Sequence, residues 1–163
     1  MSVYIVNLGK HRESKAVGAW FYPPISFEDV AEKIGLNAEY EGYAIHDYEL
    51  PFEIGEYTSI DEINHQCRLV RELEGTPIYD ALPELLASGC FYGVENLAER
   101  QEDVHHWAGC EDMGAVACEL VEKGYLEIPE RLRNYIDYEA VGNTLETSGI
   151  FIHTRYGIFE VYC

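Results

Sequence analysis

The sequence predicts an α+β fold of several small lobes, and three observations carry that prediction. Short β-branched and aromatic runs stand at both ends of the chain, a helix-patterned stretch lies between them, and no internal repeat or low-complexity run interrupts the order. The expected lobes are a mixed one at 1–58, a helical one at 59–101 and a second mixed one at 102–163. Nearly half of the 163 residues are hydrophobic, including thirteen Tyr, six Phe and two Trp, so the chain can bury a core.

Taken in order, Val3 to Leu8 and Val17 to Tyr22 read as strands around the polar, basic connection GKHRESK. Pro23 and Pro24 end the second strand. Ser26, with Asp29 three residues on, predicts a capped short helix that stops at Gly35. Tyr40 to Tyr48 is the third strand. Ser59 with Glu62 is another capping box, opening a helix to Leu73 whose apolar positions Ile60, Ile63, Cys67 and Val70 share a face. Thr76 and Pro77 supply the N-cap and first-turn proline of a second helix, which Pro83 is expected to kink or divide, and Val94 to Arg100 forms a further short helix. A small helical bundle is expected there.

Beyond Glu102, Asp103 to Trp107 reads as a short strand and Asp112 to Lys123 as a helix stopped by Gly124, with Val116, Leu120 and Val121 facing inward. Arg131 to Tyr135 and Tyr138 to Leu145 are helical stretches. Ile150 to His153, a turn through Thr154–Gly157, and a return from Ile158 predict a hairpin.

Charge is the strongest functional signal. Thirty Asp and Glu face eleven Lys and Arg, a formal charge of −19, whereas solubility of a small domain needs only about 2–8. Between Glu28 and Glu62 eleven carboxylates are met by one cation, Lys33. Such self-repulsion destabilises a compact state. The aromatic content excludes an acidic disordered tail. A strongly basic partner, imitation of a polyanion, and a merely solvated surface all remain open on charge alone.

The acidic positions have useful spacing. Glu39/Glu41, Asp47/Glu49 and Asp137/Glu139 are two apart, which on a strand places both on one face about 6.6 Å apart. Glu28/Glu32, Glu95/Glu99 and Glu119/Glu122 are three or four apart, neighbours on a helix face at about 5–6 Å. Duplex DNA carries one charge per ~1.7 Å of axis, so carboxylate rows of this kind can stand in for phosphates.

Other chemistries find less support. His105, His106 and Cys110 lie close in sequence, with Cys118 and the His65/Cys67 pair further off, but paired zinc-ligand spacings are missing and adjacent histidines point to opposite strand faces. No calcium-loop, nucleophile-elbow, zincin or P-loop motif occurs, so neither metal nor cofactor is expected and the protein reads as a non-enzyme. The five scattered cysteines suggest reduced thiols in a cytoplasmic protein, with Cys163 the most open to oxidation. The N-terminus does not read as a signal peptide, no apolar run approaches the ~20 residues of a membrane span, and the small patch Lys10-His11-Arg12 with Lys15 does not reverse the disfavouring of direct nucleic-acid binding.

The blocks YIVNLGK, GAWFYPPI, YAIHDYELPF with YTSI, and near the end YIDYEAVGNTL and GIFEVY resemble the ArdA antirestriction family, over nearly the whole chain and in the same order. The resemblance implies a cytoplasmic homodimer whose negative surface imitates bent B-form DNA, occupies the DNA groove of Type I restriction–modification enzymes and protects incoming plasmids or transposons. On that reading the phosphate-mimic surface comprises Glu39, Glu41, Asp47, Glu49, Glu53, Glu56, Asp61, Glu62, Glu95, Glu99, Glu102, Asp103, Glu111, Asp112, Glu119 and Glu122. The dimer contact falls at Leu132 to Ala140, with Leu132, Tyr135, Tyr138 and Ala140. One departure stands out: Gly142-Asn143-Thr144-Leu145 replaces a pattern closer to G-R-D-L. An acidic scaffold or sequestering factor for another basic protein, and more remotely a metal-dependent hydrolase, are the rival classes.

Overall fold

Two three-stranded antiparallel sheets, each backed by helix, make up the α+β fold of the computed structural model, which describes residues 1–162. Cys163, named above for its exposure to oxidation, lies outside the described residues. The chain divides into two compact units, Met1–Glu74 with Gly93–Ala98, and Gly75–Tyr92 with Glu99 onward. Residues 75–92 and 99–101 fall in the second unit, and the rest of 59–101 in the first.

In the first unit β1 (Ser2–Asn7) lies between β2 (Gly18–Phe21) and β3 (Tyr43–Glu49). The connection expected to be irregular holds a short helix, α1 (Leu8–Arg12), because the Asn7 side chain accepts from Lys10 N at 3.0 Å and caps it. Asn7 is fully buried, and its amide also donates to Ile34 O and Gly35 O at 2.9 and 3.1 Å, fastening β1 to the end of α2 (Phe27–Ile34). Gly35 closes α2 in the left-handed region, φ 71°, as a C-cap glycine does. Ser26 sits at the N-cap, but its side chain makes no capping bond.

Val3, Ile5, Val30 and Ile34 are fully buried in this unit. Burying each such side chain contributes about 1.5–3 kcal/mol. α3 (Ile60–Glu72) begins with Ser59 Oγ accepting from Glu62 N at 3.1 Å, and its expected stripe Ile60, Ile63, Cys67 and Val70 is buried throughout. Asn64 locks α3 to the proline-rich segment through paired 2.7 Å bonds with Ile25 N and O, and Arg71 donates to Pro23 O.

In the second unit, Thr76 caps α4 (Pro77–Asp80), and the chain breaks before α5 (Leu82–Ala87), with Pro83 in its first turn. α6 (Val94–Glu99) belongs to the first unit as far as Ala98. The terminal hairpin of β5 (Ile150–Thr154) and β6 (Gly157–Val161) is extended by β4 (Val104–Trp107), which pairs with β6. α7 (Met113–Glu122) and α8 (Tyr138–Ser148) pack together, and Trp107, Cys110, Met113, Val116 and Ile158 form the core. Gly142 is the point of closest approach: a Cβ there would sit 2.5 Å from the backbone of Met113.

Candidate partner-binding surface

β3 carries the best-defined acidic pair. A bulge between the Tyr4–Asp47 and Ile5–Ile45 pairings inserts His46, so Ala44 and Ile45 are both buried while Asp47 and Glu49 share the outer face. Ser2 Oγ donates to Glu49 at 3.3 Å. Glu39 and Glu41 are also exposed, but not on a strand. They lie in the turn before β3, which the Asn37 carboxamide oxygen organises by accepting from Glu39 N and Tyr40 N at 2.9 and 3.0 Å. Tyr40 in turn donates to Glu13, whose carboxyl is held below the usual range by Lys15 first and by this hydroxyl second.

Glu53 and Glu56 occupy the segment after β3, anchored where Ile45 N donates to Glu56 O at 2.8 Å. Asp61 and Glu62 sit in the first turn of α3, where the helix dipole favours negative charge. All eleven carboxylates from Glu28 to Glu62 are exposed, and among the described residues none has a Lys or Arg nitrogen within 4.0 Å. The cation in that stretch, Lys33, lies over the Phe21 ring at 5.3 Å.

The remaining acids are deployed differently. Glu95, on α6, meets His65 Nε2 at 3.2 Å, while Arg68 reaches the other ring nitrogen at 2.8 Å. Arginine only donates, so Nδ1 accepts and the ring proton faces Glu95. Glu99, Glu102, Glu111 and Glu122 are exposed. Asp103 and Glu119 are half-buried and paired, with Arg100 at 3.3 Å and Lys123 at 2.9 Å. Lys123 holds the Glu119 carboxyl below its ordinary value. Asp112 caps α7, accepting from Ala115 N at 2.8 Å. Asp137 caps α8 in the same way at 3.0 Å, so it and Glu139 straddle a helix start instead of sharing a strand face.

The segment expected to self-associate is a 3₁₀ helix, Glu130–Tyr135, leading into α8. Tyr135 is 84% and Leu132 46% exposed; Ala140 is exposed and Tyr138 half-buried.

His105 packs edge-on against Trp107, and His106 stacks on Phe159. Burial pushes the Cys67, Cys110 and Cys118 thiols up, away from thiolate chemistry. Among the described residues no group of three His, Cys, Asp or Glu is arranged to hold a metal ion. A cavity of about 360 Å³ is lined by Asp112, Glu139, Asn143, Glu146 and His153, with Glu146 bonded to His153 at 2.7 Å. No helix among the described residues is long and apolar enough to cross a membrane. Sequence patterns alone did not reveal the Arg68–His65–Glu95 chain or the helix contact at Gly142. The first joins two helices distant in sequence; the second had only a glycine inside a helical pattern as its sign.

Fold and surface together define an α+β protein with an open, under-neutralised acidic face. A family model described as antirestriction protein (ArdA) matches residues 3–160, and the chain belongs to that family. No curated protein matches it.

Proposed function

We propose that this antirestriction protein works as a DNA mimic, occupying the DNA groove of a Type I restriction–modification enzyme in the cytoplasm and so protecting incoming mobile DNA. The observation that carries the reading is the stretch Glu28–Glu62, whose eleven carboxylates are exposed with no Lys or Arg within 4.0 Å among the described residues. Folding gives no return for leaving that charge unpaired; a basic groove does. The protein acts by occupancy, without catalysis and without touching DNA itself.

Glu95 in the first unit, and Glu99, Glu102, Glu111 and Glu122 in the second, are proposed as further phosphate-mimic charges. Asp103, Asp112 and Glu119 belong to this set less directly, since each already has a partner or a cap to serve. A homodimer joined through Leu132, Tyr135, Tyr138 and Ala140 is part of the proposal, as are three functional lobes with limits at 58 and 101. Two chains of −19 carry −38, the charge of about 19 base pairs.

The test is competition. The protein displaces labelled duplex from a purified Type I enzyme and gives no shift with duplex alone. Direct DNA binding, or failure to displace, contradicts the reading, and selective capture of a different basic DNA-binding protein favours the scaffold alternative.

A further inference from the structure

The outer face of the first sheet carries aromatic residues on the edge strand β2 and acidic ones on the opposite edge strand β3, with Tyr4 of the central strand β1 between them. Tyr4 is the cross-strand partner of both Trp20 and Asp47, so these three side chains form one row across the sheet. Trp20 and Tyr4 rings are 5.5 Å apart and tilted by 54°. Trp20 is 38% exposed; Tyr22, just past β2, is 72% exposed, with buried Phe21 between them. Asp47 and Glu49 are exposed on β3. The opposite face, with Val3, Ile5, Phe21 and Ile45, already forms the core, so folding does not call for an indole on the open side.

The tilted Tyr4–Trp20 ring pair ends at a carboxylate on its Tyr4 side, Asp47, whose Oδ1 accepts from Tyr48 N at 2.8 Å and keeps its remaining lone pairs for a ligand. That arrangement suits one occupant. Guanidinium is planar, weakly hydrated and permanently charged, stacks on aromatic faces and donates two parallel hydrogen bonds to a carboxylate. Ammonium is compact and strongly hydrated, and gains less from the ring. Phosphate mimicry alone makes no such distinction.

We infer that this face is a receptor for an arginine side chain of the basic partner, the guanidinium lying over the Tyr4–Trp20 ring pair and bonding to Asp47, with Tyr22 and Glu49 at its margins. The inference rests on the DNA-mimic reading for its partner and adds a chemical preference within it.

Calorimetric titration with two heptapeptides, one carrying three arginines and the other three lysines, tests it on the full chain. The expected arginine preference is about tenfold, falling to near unity in Trp20→Ala, partly kept in Trp20→Phe, and weakened severalfold in Asp47→Asn. Trp107 is buried and bonded to Glu160, so a saturable change in Trp fluorescence that Trp20→Phe removes reports this face directly. A preference unchanged in folded Trp20→Ala overturns the inference. On the Type I enzyme, Trp20→Ala is expected to bind about tenfold more weakly than wild type; equal binding overturns the receptor while leaving the DNA-mimic reading intact. Wild type that fails to bind the enzyme yet keeps its Trp20-dependent arginine preference sinks the mimic reading and supports the receptor.

Discussion

The two units carry almost the same formal charge and treat it in opposite ways. The first holds fifteen carboxylates against six Lys and Arg, the second fifteen against five. In the second, Asp103, Glu119 and Glu84 are each paired with Arg100, Lys123 and Arg155, and Asp112 and Asp137 cap helices. In the first, among the described residues, Lys15–Glu13 is the one pair with a Lys or Arg; the acidic run from Glu28 to Glu62 has no Lys or Arg partner, and Glu56 meets His46 Nε2 at 3.7 Å. Net charge does not locate a binding face; the share of that charge without a structural task does. The first unit is where charge exceeds what folding uses.

The largest expected effect breaks the second unit. Gly142→Ala puts a Cβ against the Met113 backbone, and the α7–α8 contact is expected to lose about 3 kcal/mol in thermal or denaturant unfolding. A change below about 0.5 kcal/mol would mean that the helices separate without cost. Close behind is Asn7→Leu in the first unit, which strands two carbonyls and the Lys10 amide; about 2–3 kcal/mol is expected from the unmet hydrogen bonds. Helix caps come next. Ser59→Ala removes a formed capping bond and is expected to cost about 1 kcal/mol, whereas Ser26→Ala, whose hydroxyl caps nothing, is expected to cost a few tenths at most.

The smallest effect concerns titration. Lys123 is the main cause of the lowered Glu119 carboxyl. Replacing it by Met is expected to move the Glu119 midpoint up toward its ordinary value of 4.5, read by NMR. Because the folded value is depressed, the stabilisation is present above that ordinary value and fades as pH falls through the folded one. An unmoved midpoint would show that the pair at 2.9 Å does not act in solution.

Much of this fold was legible in the chain. Ser59, Thr76, Asp112, Gly35 and Gly124 marked their helix ends, and the hairpin from Ile150 came from alternation and a glycine turn. What pattern could not supply was long-range. That β4 completes the hairpin's sheet depends on pairing across more than forty residues, and α1 forms because buried Asn7 caps it, a role fixed by its contact with Ile34. The acidic excess was plain in the sequence; which acids are spoken for was not. Asp103 and Glu119 look like Glu41 and Glu53 until the cations beside them are placed.

The central claim, that unpaired charge spread over the first unit does the work, is tested most directly by restriction of phage or plasmid in cells carrying amide variants. Glu41→Gln, Asp47→Asn, Glu49→Gln, Glu56→Gln and Glu62→Gln, taken singly, are expected to weaken protection about two- to fivefold, the scale of one exposed charge. All five together are expected to weaken it about a hundredfold or more, with a melting temperature equal to or above wild type as repulsion is relieved. Complete loss of protection from one of these single substitutions in a folded protein would contradict the distributed-charge account and point to a discrete site.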